Sequence, residues 1–306
     1  MGRYRYKSMK THEFFMQIQT EEQAREWIWK SRFGRDGFQC PHCKEKKYYR
    51  HISRPEIRTC RGCLRQIRVR AGTIFEHSKV PLLIWLRAIF FVMQGKRGMS
   101  ALELKRLLDM RSYATAWLML QKLREALKER DDKYKIEKLV ELDGATFGKR
   151  EKSTQVTVLV AVESRDWIDE NGELKSKAGF AKIKMTSESK IRAQEFVNEY
   201  IKPGSMVNTD ANNSYTKLKN VDHDYRVVEA NPEILNHWLP WVHKFISNAK
   251  AWLLGTHHGV GPKNIGRYLA EYTYRFNRRH DPDSLFHRAL KACSLATPKT
   301  AYALSG

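Results

Sequence analysis

The sequence predicts an α/β protein in which a mixed β-sheet flanked by helices follows a small cysteine-rich ribbon and a helical segment. Three observations predict it. Two Cys-x-x-Cys pairs lie between residues 40 and 63, apolar residues recur with helical spacing from Pro81 to Arg130, and after Lys135 the period changes to the alternation of strands before helices and strands interleave.

Composition sets the bounds. Of 306 residues, 42% are apolar and 11% aromatic, which excludes a disordered basic tail and leaves room for two or more cored domains. Lys and Arg number 56 against 34 Asp and Glu, a net charge of +22. The first 100 residues carry 22 Lys and Arg against 8 Asp and Glu, a net of +14, so most of the surplus is at one end. Polarised positive charge is the footprint of a protein that displaces counterions from nucleic acid phosphates, although a generally basic surface gives the same total. The five cysteines are too few and too clustered for a secreted disulfide scaffold. The most apolar stretch, Val80 to Met93, is too short for a bilayer and contains Arg87, and no apolar segment follows the basic N-terminal residues as in a secretory signal. These features predict a reducing, cytoplasmic setting without a membrane partner.

Residues 1–36 form an N-terminal helical arm. The ribbon, 37–78, is built on Cys40-Pro-His-Cys43, a spacer of sixteen residues and Cys60-Arg-Gly-Cys63, a spacing in which two tight turns each present two thiolates to one tetrahedral zinc ion. Pro41 and Gly62 suit the turns, and Lys47 to Ile57 and Gln66 to Val69 supply extended segments. Four thiolates leave no open coordination position, so this zinc is structural and His42 stands outside its shell. Cys293 reads as a buried apolar residue.

The segment 79–132 is helical. Leu82, Leu83, Trp85, Leu86, Ile89, Phe90 and Met93 form a first apolar run, Ser100 with Glu103 reads as a capping box, and Trp117, Leu120, Leu123 and Leu127 line one face of a third helix. With the short turn Arg111-Ser112 this fits a helix-turn-helix whose third helix enters the major groove. An ordinary three-helix bundle has the same periodicity.

In the domain 135–285, strands are expected at Ile136–Leu142, Gln155–Val162, Phe180–Met185, Ser205–Thr209 and Tyr225–Val228. Helices are expected at Ser187–Ile201, Pro240–Leu254 and Pro262–Asn277, with weaker helical promise after Asp210. Asp143 and Asp210 close the first and fourth strands, which this order makes central neighbours. Two converging carboxylates suit Mg²⁺, which keeps several waters, and a pair of such ions about 4 Å apart serves phosphoryl transfer; acidic turn residues facing solvent are the alternative. Residues 286–306 form a C-terminal tail.

The ribbon, Val140-Glu-Leu-Asp143 with Phe147-Gly-Lys149, Asn208-Thr-Asp210, Leu239-Pro-Trp-Val-His243 through Asn248-Ala-Lys250 to Gly255-Thr-His-His-Gly259, and Arg267-Tyr-Leu-Ala-Glu-Tyr-Thr-Tyr-Arg-Phe-Asn-Arg-Arg279 together carry a resemblance. Over nearly its whole length the chain resembles bacterial insertion-sequence transposases that join a zinc ribbon and helix-turn-helix to an RNase H-like DDE catalytic domain. The resemblance implies a DNA transposase that binds element ends and catalyses metal-dependent cleavage and strand transfer by a two-metal mechanism. It makes Asp143 and Asp210 the first two ligands. Aligning the family's Lys with Lys250 puts the third on His243, a DDH variant with 32 residues between Asp210 and His243. Asn248 is the runner-up and Glu233 a more distant choice.

A neutral imidazole there shifts preference from Mg²⁺ toward Mn²⁺, and a purely structural histidine is the alternative. Gly144 stands where the group often has Glu. Lys250, Arg65, Arg68, Arg70, Arg275, Arg278 and Arg279 become phosphate-contact candidates. His257 and His258 line the DNA path or cap the preceding helix, and Trp238, Trp241 and Trp252 pack in the core or stack on an unpaired base. Implied partners are zinc, Mg²⁺ or Mn²⁺, double-stranded DNA as terminal inverted repeats and target, and at least a second copy of the chain, in a protein associated with the nucleoid when DNA-bound. The rival readings are a catalytically inactive, transposase-derived DNA-binding protein and an RNase H-like nuclease.

Overall fold

The computed structural model describes residues 9–34, 37–148, 155–168, 170–226 and 238–305. The chain divides into two units, one comprising the described residues up to Arg130 together with those from His280 onward, the other Asp131–Arg279.

In the first unit, helices α1 (Thr11–Gln17) and α2 (Glu21–Phe33) precede an antiparallel ribbon of β1 (Tyr48–Arg50), β2 (Ile57–Cys60) and β3 (Gln66–Arg68), in the order β1-β2-β3. The ribbon has little apolar interior of its own. It leans on α2, where Trp29 stacks against Phe38 and meets Tyr48, and where the buried Arg58 donates to Glu26 at 2.5 Å. Helices α3 (Leu82–Gln94), α4 (Ala101–Leu107) and α5 (Tyr113–Asp132) follow. Ser100 caps α4 by accepting from the Glu103 N–H at 3.1 Å, but the expected capping box is only half formed, because the Glu103 carboxylate turns to Arg97. Ala116, Leu120, Leu123 and Leu127 of α5 are buried, and so are Gln121, Lys122 and Arg124, leaving the first turn, at Tyr113, as its exposed apolar end.

The residues expected as a C-terminal tail instead contain two helices, Leu285–Leu295 and Ala301–Ser305, which are α9 and α10 in chain order. Leu285, Phe286, Ala289, Leu290 and Cys293 bury one face of α9, with Phe286 edge-on to Phe14 and Phe90. Spaced at three and four, these apolar residues need a partner surface, and the first unit supplies it.

The second unit is a five-stranded mixed sheet. Its strands are β4 (Leu139–Phe147), β5 (Val156–Ile168), β6 (Leu174–Met185), β7 (Met206–Asp210) and β8 (Asp222–Arg226), in the order β6-β5-β4-β7-β8. β5 runs antiparallel to β4 and β6, while β7 is parallel to β4 and to β8. This is the mixed architecture expected from the sequence, with the first and fourth strands adjacent. On one face, Val140, Leu142, Leu159, Ala161 and Val207 pack with α6 (Lys190–Tyr200). On the other, Ala145, Phe147, Val158, Val160 and Val162 pack with α7 (Pro240–His257) and α8 (Pro262–Phe276).

Several expectations change: β5 runs on to Ile168, β6 begins at Leu174 and β8 at Asp222, each earlier or longer than its alternation predicts, and α6 begins at Lys190. β4 does not end at Asp143 but continues four residues to Phe147, because Gly144 to Phe147 keep pairing with β5 as far as Val156. The polar stretch after Asp210 forms only a single 3₁₀ turn, Asn213–Tyr215. Val227 and Val228 of the expected fifth strand lie outside the described residues.

Candidate functional site

The four cysteines form one cluster. The Sγ atoms of Cys40, Cys43, Cys60 and Cys63 all lie within 4.8 Å of one another, with Cys40–Cys63 at 3.7 Å and Cys43–Cys60 at 3.4 Å. A tetrahedron of sulfurs with bonds of about 2.3 Å has edges of about 3.8 Å, so this cluster can hold a zinc ion. The N–H groups of Lys44 and Leu64 fold back on the carbonyls of Cys40 and Cys60, closing the two turns.

The acidic site sits where β7 stops. β4 and β7 are in parallel register through Glu141↔Asn208, and two residues further along each strand come Asp143 and Asp210. Because Val140, Leu142 and Val207 point to the α6 face, strand alternation turns Asp143 and Asp210 to the opposite face, where α7 lies. From the first turns of α7, His243 brings its Nε2 to 3.3 Å from Oδ2 of Asp143. The Gly144 N–H donates to Oδ1 of Asp143 at 2.7 Å, and Oδ1 of Asp210 accepts from Asn212 at 3.2 Å. Burial raises the Asp210 pKa, and the Asp143 charge raises it further. The hydrogen bond to Asp143 holds His243 above its usual value. Among the described residues only the four cysteines bring their ligand atoms wholly within 4.8 Å. Asp143, Asp210 and His243 are therefore more open than a closed metal cage, and this donor set suits an ion that keeps water ligands.

Lys250 is exposed, two helical turns after His243, with its Nζ 5.7 Å from the centre of the Phe147 ring. Asn248, the other expected third ligand, is exposed on α7, and His243 rather than Asn248 meets Asp143. Glu233 and Lys149 lie outside the described residues.

Two further carboxylates were not singled out from the sequence. Glu188 accepts from Tyr215 Oη at 2.7 Å and from Asn212 Nδ2 at 3.2 Å, and a β-carbon at position 144 would land on its carboxyl group. Burial raises its pKa, as do the charges of Asp143 and Asp210. The glycine after Asp143 was the one available signal. Glu141, 2% exposed, accepts from the N–H groups of Trp241 and Val242 at 2.7 and 2.8 Å, and burial pushes its carboxyl up to about 7.

Several arginines chosen as phosphate contacts are engaged internally. Arg70 donates to the carbonyls of Ser78 and Val80 at 3.1 and 2.9 Å and reaches Glu56 at 3.4 Å. Arg275 pairs with Glu271 at 3.7 Å. Arg278 binds Asp131 at 2.6 Å and the Tyr274 carbonyl at 3.0 Å, and Arg279 donates to the carbonyls of Ala178, Gly179 and Phe276. These four hold the fold together. Arg65 and Arg68 are exposed on the ribbon.

The aromatic residues have packing roles. Trp238, Trp241 and Trp252 lie against the core, the first donating to the Thr209 carbonyl at 2.7 Å and the second to Ser176 at 3.1 Å. His257 packs between Trp252 and Tyr268, and His258 caps α7 in a left-handed conformation.

Residues 129–277 match the ISXO2-like transposase domain, and this part of the chain is similar to that family. An uncharacterized protein in transposable element ISH50 of Halobacterium salinarum is 30% identical over 95 residues, which is 30% of this chain and 31% of that protein. The match thus spans about a third of that relative's length.

Proposed function

We propose that the chain is a DNA transposase that binds the ends of an insertion sequence and catalyses their divalent-metal-dependent cleavage and joining to target DNA, at a site made by Asp143, Asp210 and His243. The observation that supports this reading is the placing of residues distant in sequence: two carboxylates at matched positions on neighbouring parallel strands, and an imidazole 3.3 Å from the first of them. Asp143, Asp210 and His243 would hold Mg²⁺ or Mn²⁺, which when bound would supply positive charge to the phosphate oxygens. The protein supplies the ligands and the orientation. Asp143 and Asp210 offer hard oxygen donors and His243 a nitrogen, a set that favours Mn²⁺ over Mg²⁺ more than three carboxylates would. Lys250 meets a phosphate beyond the reacting one, and Arg65 and Arg68 on the ribbon meet phosphates along the duplex.

In the first step a water oxygen bonds to phosphorus, the bond to the element's 3′ oxygen breaks, and that oxygen takes up a proton as the water loses one. In the second, the freed 3′ hydroxyl bonds to a target phosphorus, releases its proton, and the target's 3′ oxygen leaves protonated. Bringing two ends together calls for at least two copies of the chain.

The test is incubation of the protein with labelled element ends and target plasmid in Mg²⁺ or Mn²⁺, beside Asp210→Ala. Nicked ends and joined product with the wild type, both lost in the variant, are expected. Intact DNA binding with no reaction in either metal would make the chain a transposase-derived binding protein. Structure-dependent cutting without joining would make it a nuclease.

A further inference from the structure

The helix that carries His243 begins without a cap of its own. Pro240 at its first position has no N–H, and Leu239 before it offers no capping side chain. The next two donors, the N–H groups of Trp241 and Val242, both go to Oε2 of Glu141, a residue one hundred positions earlier on β4. A carboxylate against exposed N–H groups at a helix start is favourable in both hydrogen bonding and dipole, so this contact fixes where the helix starts. Glu141 and Asp143 point to the same face of β4, one alternation apart, and His243 is the residue after Val242. One strand therefore supplies the first ligand and holds the helix end that supplies the third. A second tether works from the other side: the Trp238 indole N–H donates to the Thr209 carbonyl, immediately before Asp210.

We propose that Glu141 is a positioning residue of the site, docking the start of α7 so that His243 faces the ion-binding carboxylates, with Trp238 as an auxiliary tether. The proposal rests on the reading of Asp143, Asp210 and His243 as the metal-binding set. Groups that orient ligands without touching the metal typically change affinity by about 10- to 100-fold when removed. Glutamine at 141 keeps one acceptor oxygen, which can still receive both N–H groups, but loses the charge, so the lower end of that range is expected.

The experiment measures Mn²⁺ binding to the full chain, by the electron paramagnetic resonance signal of free Mn²⁺. The proteins are the wild type, Glu141→Gln, His243→Ala, their double variant and Asp210→Ala. Expected are a dissociation constant raised about 10-fold by Glu141→Gln, and a double variant that binds no worse than His243→Ala, since a residue acting through His243 has no further effect once the imidazole is gone. An equal fold-loss in both backgrounds overturns the proposal and leaves the metal site standing. Unchanged binding in Asp210→Ala removes the site itself, and the proposal with it. Trp238→Phe keeps an aromatic ring against the core and removes the indole N–H that makes the tether. It covers the case in which Glu141→Gln does not fold, and it must show the same dependence on His243, or the tethering idea falls.

Discussion

At the scale of single residues, a missing side chain makes room for a charge. Gly144 follows Asp143, where the resembling transposases often have Glu, and the Glu188 carboxyl occupies the space a side chain there would take. An acidic group thus comes to this part of the site from the loop before α6. Gly144→Ala is expected to destabilise the protein by about 1–3 kcal/mol through overpacking, and Glu188→Ala in the same chain to recover most of that loss, both read by urea unfolding. A neutral Gly144→Ala would mean that the carboxyl group swings away at little cost.

The adjacency of the strands that carry Asp143 and Asp210 was legible in the sequence from the order of strands and helices. The approach of Glu188 to Gly144 was not, since it depends on how α6 meets the sheet. The internal partners of Arg70, Arg275, Arg278 and Arg279 were not legible for a related reason: periodicity gives a charged residue a face but not its partners. Arg278→Ala removes the ion-pair partner of the mostly buried Asp131, which keeps its hydrogen bond from Asn277 at 3.0 Å, and is expected to destabilise by about 1–3 kcal/mol with DNA affinity unchanged. Arg68→Ala is expected to leave stability within about 0.5 kcal/mol and to reduce the salt dependence of DNA binding by about one unit of slope. Matched unfolding and salt-titration experiments check both, and the opposite pattern would return Arg278 to the DNA surface.

At the scale of elements, alternation and capping residues identified most strands and helices, and errors fell where pairing was non-local. β4 runs past Asp143 because β5 continues to pair with it, so the functional edge is set by where the neighbouring β7 stops, which no local signal in β4 reports. Ser100 was correctly read as the cap of α4, whereas Glu103 found Arg97 instead of closing the box. Ser100→Ala should therefore lower stability by about 0.5–2 kcal/mol. Glu103→Gln, which touches only an exposed ion pair, should change it by less than about 1 kcal/mol. Equal losses in thermal or urea unfolding would mean that the reciprocal capping bond forms in solution.

At the scale of the whole molecule, the basic surplus and the cysteine cluster fall in the first unit and the acidic residues Asp143 and Asp210 in the second; the proposed function assigns DNA holding to the one and the reaction to the other. Among the described residues no helix is long and apolar enough to cross a membrane. The cluster predicts one zinc per chain, released on thiol modification and measured with a metallochromic dye; its loss, or Cys60→Ser, should unfold the ribbon and weaken DNA binding, and a zinc-free protein with an intact ribbon would contradict this. The central claim is that the carboxylates of β4 and β7 share a divalent ion. Crystals soaked in Mn²⁺ and measured at the manganese absorption edge test it most directly. An anomalous peak within about 2.5 Å of oxygens from both Asp143 and Asp210 is expected, and no such peak at saturating Mn²⁺, with the rest of the protein ordered, would contradict a shared ion.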